Sequence, residues 1–141
     1  ATETVDPAKT AIPVGRFLPL DTIEGVTAVR LPSSGDSAVN GVSVVSHLDI
    51  ARPREPSSTD EPSYYSGDTL TLATRGTIPM RNVGGDASAN GAVYAVVNTA
   101  GGDALGAARG TDDGSNSVAV TGARWLAATA EGEVGEVWIN F

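Results

Sequence analysis

The chain has 141 residues, of which 40% are hydrophobic and 5% aromatic, with 17 Gly, 8 Pro, no Cys and a formal net charge of −8. This length suits one domain with its own core, and the lack of cysteine excludes disulfides, thiolate nucleophiles and cysteine-bound zinc. Because Lys9 is the only lysine and the arginines are scattered along the chain, the sequence lacks the basic patch that nucleic acids require.

The first twenty residues are predicted to form an extended N-terminal arm. Three prolines in this segment remove backbone donors and favour extended geometry. The apolar side chains between them are Ile12, Val14, Phe17 and Leu18. They need a groove, either on the same domain or on a neighbour. The segment also lacks the basic and apolar regions of a signal peptide, so we expect a trimmed or Met-processed chain, with an exported protein cleaved before Ala1 as the alternative.

The rest of the chain, residues 21–141, is predicted to form a single all-β domain of short antiparallel strands. Apolar runs with a period of two, separated by turns rich in Gly and Asp, carry this prediction. The clearest lies over residues 67–80, which we interpret as a hairpin that acts as scaffold. Trp125 and Trp138 lie within such strands and are predicted to be core anchors. The other predicted strands cover residues 25–31, 39–48 and 92–97, begin again at 118, and close with 123–130 and 134–141.

A proline-rich excursion is predicted over residues 51–63. Its three prolines are incompatible with a helix or a central strand. Tyr64 and Tyr65 follow it directly. These two rings either pack the excursion back onto the domain or face a partner.

Side chains that perform chemistry are scarce. His47 is the only histidine and lies in no nucleophile motif, so a catalytic triad is disfavoured. Residues 112–116 resemble half of a calcium loop but lack its closing Glu, so a capped turn is the better interpretation. Paired carboxylates such as Glu131 and Glu133 could serve glycoside hydrolysis, but aromatic residues to bind a sugar are few. We predict no catalytic residue, no cofactor and no metal site.

Four segments follow one another in a characteristic order. They are residues 65–80 with their Gly-Asp and Arg-Gly steps, the Gly-Ala-Val-Tyr strand at 91–94, Val-Thr-Gly-Ala-Arg-Trp at 120–125, and the last strand at 134–141. This order resembles that of the capsid cement, or head decoration, proteins of tailed bacteriophages. The resemblance covers residues 38–141.

The resemblance implies a small β-barrel or β-tulip-like domain that acts as a structural virion protein and not as an enzyme. Such proteins bind the outer surface of the assembled capsid, commonly as homotrimers, and bridge neighbouring major capsid protein subunits. The implied partners are the major capsid protein and further copies of the chain, as a trimer or a dimer, with no nucleic acid and no membrane. Synthesis in the cytoplasm of the bacterial host is implied as well.

Interface residues are expected in the arm and beside the excursion. The candidates are Ile12, Val14, Phe17, Leu18, Tyr64 and Tyr65. In this interpretation the arm residues bury against another subunit or the capsid, because an arm that orders on a neighbour adds contact area. Deletion of residues 1–20 is then expected to leave a folded domain that binds capsids less well.

Two alternatives from other classes remain open at the level of sequence. One is an extracellular carbohydrate-binding or adhesin domain, for which Tyr64 and Tyr65 are the nearest candidates for a sugar platform. The other is a hydrolase that uses carboxylate pairs such as Glu131 and Glu133.

Overall fold

The computed structural model describes residues 2–5, 12–44, 63–64 and 69–141, and these residues form short β-strands. The helical turns in this part of the chain are two three-residue 3-10 segments, Thr99–Gly101 and Gly114–Asn116. No helix in it is long and apolar enough to cross a membrane. The strands are β1 (Thr2–Val5), β2 (Ile12–Pro13), β3 (Phe17–Leu18), β4 (Leu20–Ile23), β5 (Val26–Val29), β6 (Gly41–Val44), β7 (Ser63–Tyr64), β8 (Thr69–Ala73), β9 (Arg75–Arg81), β10 (Ala92–Val96), β11 (Ala108–Arg109), β12 (Ser117–Trp125) and β13 (Val134–Asn140).

A six-stranded sheet contains the N-terminal segment as one of its inner strands. Its strand order is β3-β6-β8-β1-β5-β4. β1 runs antiparallel to β8, with Thr2 opposite Thr71, and parallel to β5, with Thr4 opposite Ala28. The first residues are therefore extended, as the prolines indicate, but their partners are strands of the same chain.

A five-stranded sheet holds most of the C-terminal half. Its order is β11-β10-β12-β13-β9, and all its pairs are antiparallel. A single bridge between Asn82 and Ala108 brings the two edges of the sheet near each other. One bridge is not a continuous ladder and does not close the sheet. The all-β prediction is confirmed, whereas a barrel is not found in the described residues.

The predicted hairpin at residues 67–80 is wrong in its pairing. Two strands do form here, but β8 pairs with β6 and β1, whereas β9 pairs with β13 in the other sheet. The chain changes sheets at Thr74, whose carbonyl accepts a hydrogen bond from the backbone of Phe141. Alternation shows which residues of a strand are buried but does not show which strand lies beside it.

The six-stranded sheet has an apolar core on each face. Phe17 and Leu18 are neighbours on β3, both fully buried, and point to opposite sides because side chains alternate along a strand. Phe17 packs into the larger core, which the five-stranded sheet covers. Leu18 packs into the smaller core, which the β2–β7 pair covers. The domain is therefore layered, with the six-stranded sheet in the middle.

Candidate functional site

Strand β13 places one tryptophan outside the core. Val137 and Ile139 are fully buried in the larger core, so Trp138 between them points away from it and is half-buried. The prediction that both tryptophans are core anchors is therefore correct for Trp125, which has no exposed surface, and wrong for Trp138. The alternation of β13 in the sequence already carried the signal for this outward position.

A bulge in β12 turns Arg124 toward the same outer surface. Val120 and Trp125 both point into the core although they are five positions apart, an odd spacing that regular alternation would place on opposite faces, so the alternation shifts between them. The shift occurs at Gly122, which has φ of +90°. A Cβ at this position would lie 2.7 Å from the carbonyl oxygen of Asn140. Glycine thus permits the bulge, and the bulge gives Arg124 its outward position.

Arg124, Trp138 and Thr77 form a row across three neighbouring strands. Arg124 is opposite Trp138 on β12 and β13, and Trp138 is opposite Thr77 on β9. Asn140 and Arg75 form the next such pair. Directly opposed residues have Cβ atoms about 5 Å apart, so these side chains share one continuous surface. We call this surface the Trp138 face, which consists of Arg75, Thr77, Pro79, Arg124, Glu136, Trp138 and Asn140.

A shallow depression lies beside the indole ring of Trp138. Its volume is about 260 Å³. The residues that line it are Gly122, Ala123, Arg124, Trp138 and Asn140. The depression has room for a side chain of a partner, with the indole ring and the Arg124 guanidinium at its border.

The charge of the Trp138 face is opposite to that of the whole chain. Strands β9, β12 and β13 carry three arginines, Arg75, Arg81 and Arg124, and one acid, Glu136, in a chain of net charge −8. Arg81 donates to the carbonyl oxygen of Gly132 at 2.6 Å. Arg75 and Arg124 are exposed and make no ion pair or side-chain hydrogen bond within the described part of the chain. Their charge is available to a partner.

Buried Asn82 holds together the loops at one end of the five-stranded sheet. Its amide nitrogen donates to the carbonyl oxygens of Gly85 at 2.6 Å and Thr129 at 2.9 Å. Its amide oxygen accepts from the backbone of Gly84 at 3.1 Å and of Gly110 at 2.9 Å. Sequence reasoning missed this residue because two of its four partners, Gly110 and Thr129, are distant in the chain. The result is a fixed end for the β9–β13 ladder.

The apolar residues predicted to form an interface in the arm lie inside this chain. Ile12, Phe17 and Leu18 have no exposed surface and belong to the two cores. Val14 is partly buried and lines a cleft of about 380 Å³. The groove that the apolar arm residues need is thus on the same domain. Three of the four have no exposed side chain to offer a partner in this conformation.

The two tyrosines have different outcomes. Tyr64 is 2% exposed, and its hydroxyl donates to the carbonyl oxygen of Val44 at 2.6 Å. It packs the β2–β7 pair onto the sheet and is not a platform for a sugar. Tyr65 lies outside the described residues, so its place at an interface stays a prediction.

The candidate calcium loop is bonded to itself. The Ser117 hydroxyl donates to Asp112 Oδ1 at 2.9 Å, and the Asn116 amide donates to Asp113 Oδ2 at 3.3 Å. Among the residues that the structure describes, no group of three or more His, Asp or Glu side chains could hold a metal ion. His47 and residues 51–62 of the proline-rich excursion lie outside that part of the chain, whereas Ser63, its last residue, begins β7.

Comparison with known proteins assigns nearly the whole chain to one family. Residues 1–140 match the phage family described as structural cement protein (E217 gp24/Pam3 gp6). A search of curated proteins found no match. Since the family match spans nearly the entire chain, this protein belongs to the phage structural cement proteins.

Proposed function

We propose that the protein binds the outer surface of the assembled phage head and bridges neighbouring major capsid protein subunits. The observation that carries this proposal is the match of residues 1–140 to a family of structural cement proteins. That family supports a structural, capsid-stabilising role in the virion and association with capsid proteins. It also favours a function other than catalysis.

The fold suits a cement that acts through many copies. A bridging protein gains affinity when one molecule contacts two subunits, because the second contact forms at high effective concentration. This requires a domain that holds its surfaces in fixed relation. Two sheets around two cores, with 22 hydrophobic residues buried in the described part of the chain, supply such a rigid body. We propose a homotrimer as the bridging unit.

Binding to heads that lack the protein tests this function. Purified protein is mixed with such heads, pelleted with them, and imaged by cryo-electron microscopy, and the heads are then heated to measure DNA release. We expect saturable binding, protrusions over contacts between subunits, and release at a higher temperature than for bare heads. Heads that already carry a full complement are the control and should take up no more protein. Absence of the protein from the pelleted bare heads would contradict the proposal.

A further inference from the structure

We propose that the Trp138 face is the surface that docks onto the head, and that it docks against an acidic patch of capsid protein. The identity of this partner rests on the function proposed above. The surface itself is assigned from the charge, the side-chain composition and the rigidity of strands β9, β12 and β13.

Charge complementarity points to an acidic protein surface. Arg75 and Arg124 are exposed and make no ion pair or side-chain hydrogen bond in the described part of the chain, and the one acid on the three strands is Glu136. The chain as a whole has a net charge of −8, so it repels most anionic surfaces at long range. A partner of negative charge therefore fits this face better than the rest of the molecule, and the charges orient the approach.

The composition of the face is that of a binding hot spot. Trp and Arg are the residues most enriched where truncation weakens protein complexes, and such residues act best at the centre of a patch. Trp138 lies in the middle of the row between Arg124 and Thr77, beside the depression of about 260 Å³. Its ring is half-buried, so less conformational freedom is lost when a partner covers it.

The backbone beneath the face is held at every position. β13 pairs with β9 through seven consecutive residue pairs, from Val134 opposite Arg81 to Asn140 opposite Arg75. The side chains of the face therefore have a fixed spacing before a partner arrives. Preorganisation of this kind reduces the entropy that binding costs.

The exposed edge of the six-stranded sheet is a poorer docking surface. β4 is one of the two edge strands, at the opposite end of the sheet from β3. The backbone of Leu20 donates to Asn40 Oδ1 and that of Thr22 donates to Asp21 Oδ1, both at 2.9 Å. These side chains occupy donors that an added strand would need. Edge strands protected in this way resist pairing with another chain.

Three variants of the intact protein test the face. Trp138→Ala removes the central ring, and the double variant Arg75→Gln, Arg124→Gln removes two charges. The matched control, Ser34→Glu with Ser115→Glu, changes the net charge by the same amount at exposed positions outside the face. Each is compared with wild type for thermal melting and for its Kd on bare heads at low and high salt.

We expect all variants to melt as wild type does, because every altered side chain is exposed or half-buried. Trp138→Ala should raise the Kd about thirtyfold and the double arginine variant about tenfold. The arginine variant should also lose most of the salt dependence of binding, since that dependence reports the charge contacts. The control should retain both affinity and salt dependence.

The outcomes separate this inference from the function on which it rests. If wild type binds heads and both face variants bind equally well, the docking surface is elsewhere while the cement function stands. If wild type fails to bind heads at all, the function and the partner fall together. If the face variants lose self-association or binding to single-stranded DNA and keep binding to heads, the Trp138 face serves a second copy or a nucleic acid, and the inference is wrong.

Discussion

Arg30 joins two carboxylates in a compact ion-pair cluster beside β5. Its Nη1 and Nη2 donate to the two oxygens of Asp36, each at 2.7 Å, and its Nε donates to Asp21 at 3.1 Å. The side chains of Arg30 and Asp36 are only 15% and 14% exposed, so water screens this pair little. The Arg30 hydrogen bonds hold the pKa of Asp36 below its ordinary value of 3.8. For Asp21, the backbone amide of Thr22 and then Arg30 lower the pKa.

Replacement of Asp36 by Asn should make the stability less dependent on pH. Because the pKa of Asp36 is lower in the folded than in the unfolded chain, its ionised form stabilises the fold at neutral pH, and this contribution disappears as the pH falls through the folded pKa. We expect Asp36→Asn to lower the free energy of unfolding by about 2 kcal/mol at neutral pH, and the difference from wild type to shrink below about pH 4.

Urea unfolding at a series of pH values measures this difference. Glu24→Gln, at an exposed turn, is the matched control and should change stability by only a few tenths of a kcal/mol. A difference between wild type and Asp36→Asn that stays constant from neutral to acidic pH would argue against the ion pair as its source.

At the scale of elements, the N-terminal strands belong to the folding unit. β1 lies between β8 and β5, while β2 and β3 carry three fully buried side chains, Ile12, Phe17 and Leu18. Burial of each such side chain contributes about 1.5–3 kcal/mol, and a whole domain has a net stability of about 5–15 kcal/mol. The free energy lost with the burial of these three side chains is therefore comparable to the entire stability of the domain.

Deletion of residues 1–20 should abolish cooperative folding. This reverses the expectation from sequence that the deletion leaves a folded domain. A milder pair tests the same point: Leu18→Ala should cost about 2–5 kcal/mol because the site is fully buried, whereas Leu20→Ala, at a position 40% exposed, should cost far less. Circular dichroism and thermal melting measure both effects. A soluble fragment 21–141 with a sharp melting transition would contradict the integration of these strands.

The Asn82 side chain joins three loops through its hydrogen bonds, so its removal should destabilise the fold more than most single substitutions do. Asn82→Ala removes four hydrogen bonds and leaves the Gly84 amide and the Gly85 carbonyl oxygen without this partner. The Gly110 amide still donates to Gly84 and the Thr129 carbonyl still accepts from Ala87, so we expect a loss of about 2 kcal/mol in the free energy of unfolding. Asn140→Ala, an exposed amide, is the control and should be nearly neutral. Urea denaturation compares the two, and equal small effects would show that the amide contacts add little.

At the scale of the whole molecule, the two sheets have different roles. The five-stranded sheet supplies the candidate docking face, and the six-stranded sheet contains the N-terminal strands β1 and β3. The five-stranded sheet has its inner residues in the larger core, and the outer residues of its strands β9, β12 and β13 form the Trp138 face. The six-stranded sheet is covered by apolar side chains on both faces. The protein thus combines a surface of positive charge with a chain of net charge −8, a charge distribution that orients the approach of a charged partner.

The sequence by itself determined the all-β class, the positions of the five longest strands and, through its motifs, the cement family. Strand alternation is a local property with a period of two, so residues 134–141 also encoded the outward position of Trp138. Only the tertiary structure decided that β1 enters the middle of a sheet, that β8 and β9 part into different sheets, and that Arg124 comes to lie opposite Trp138. These features depend on pairing between distant segments, and many strands with similar apolar alternation could satisfy the same local pattern.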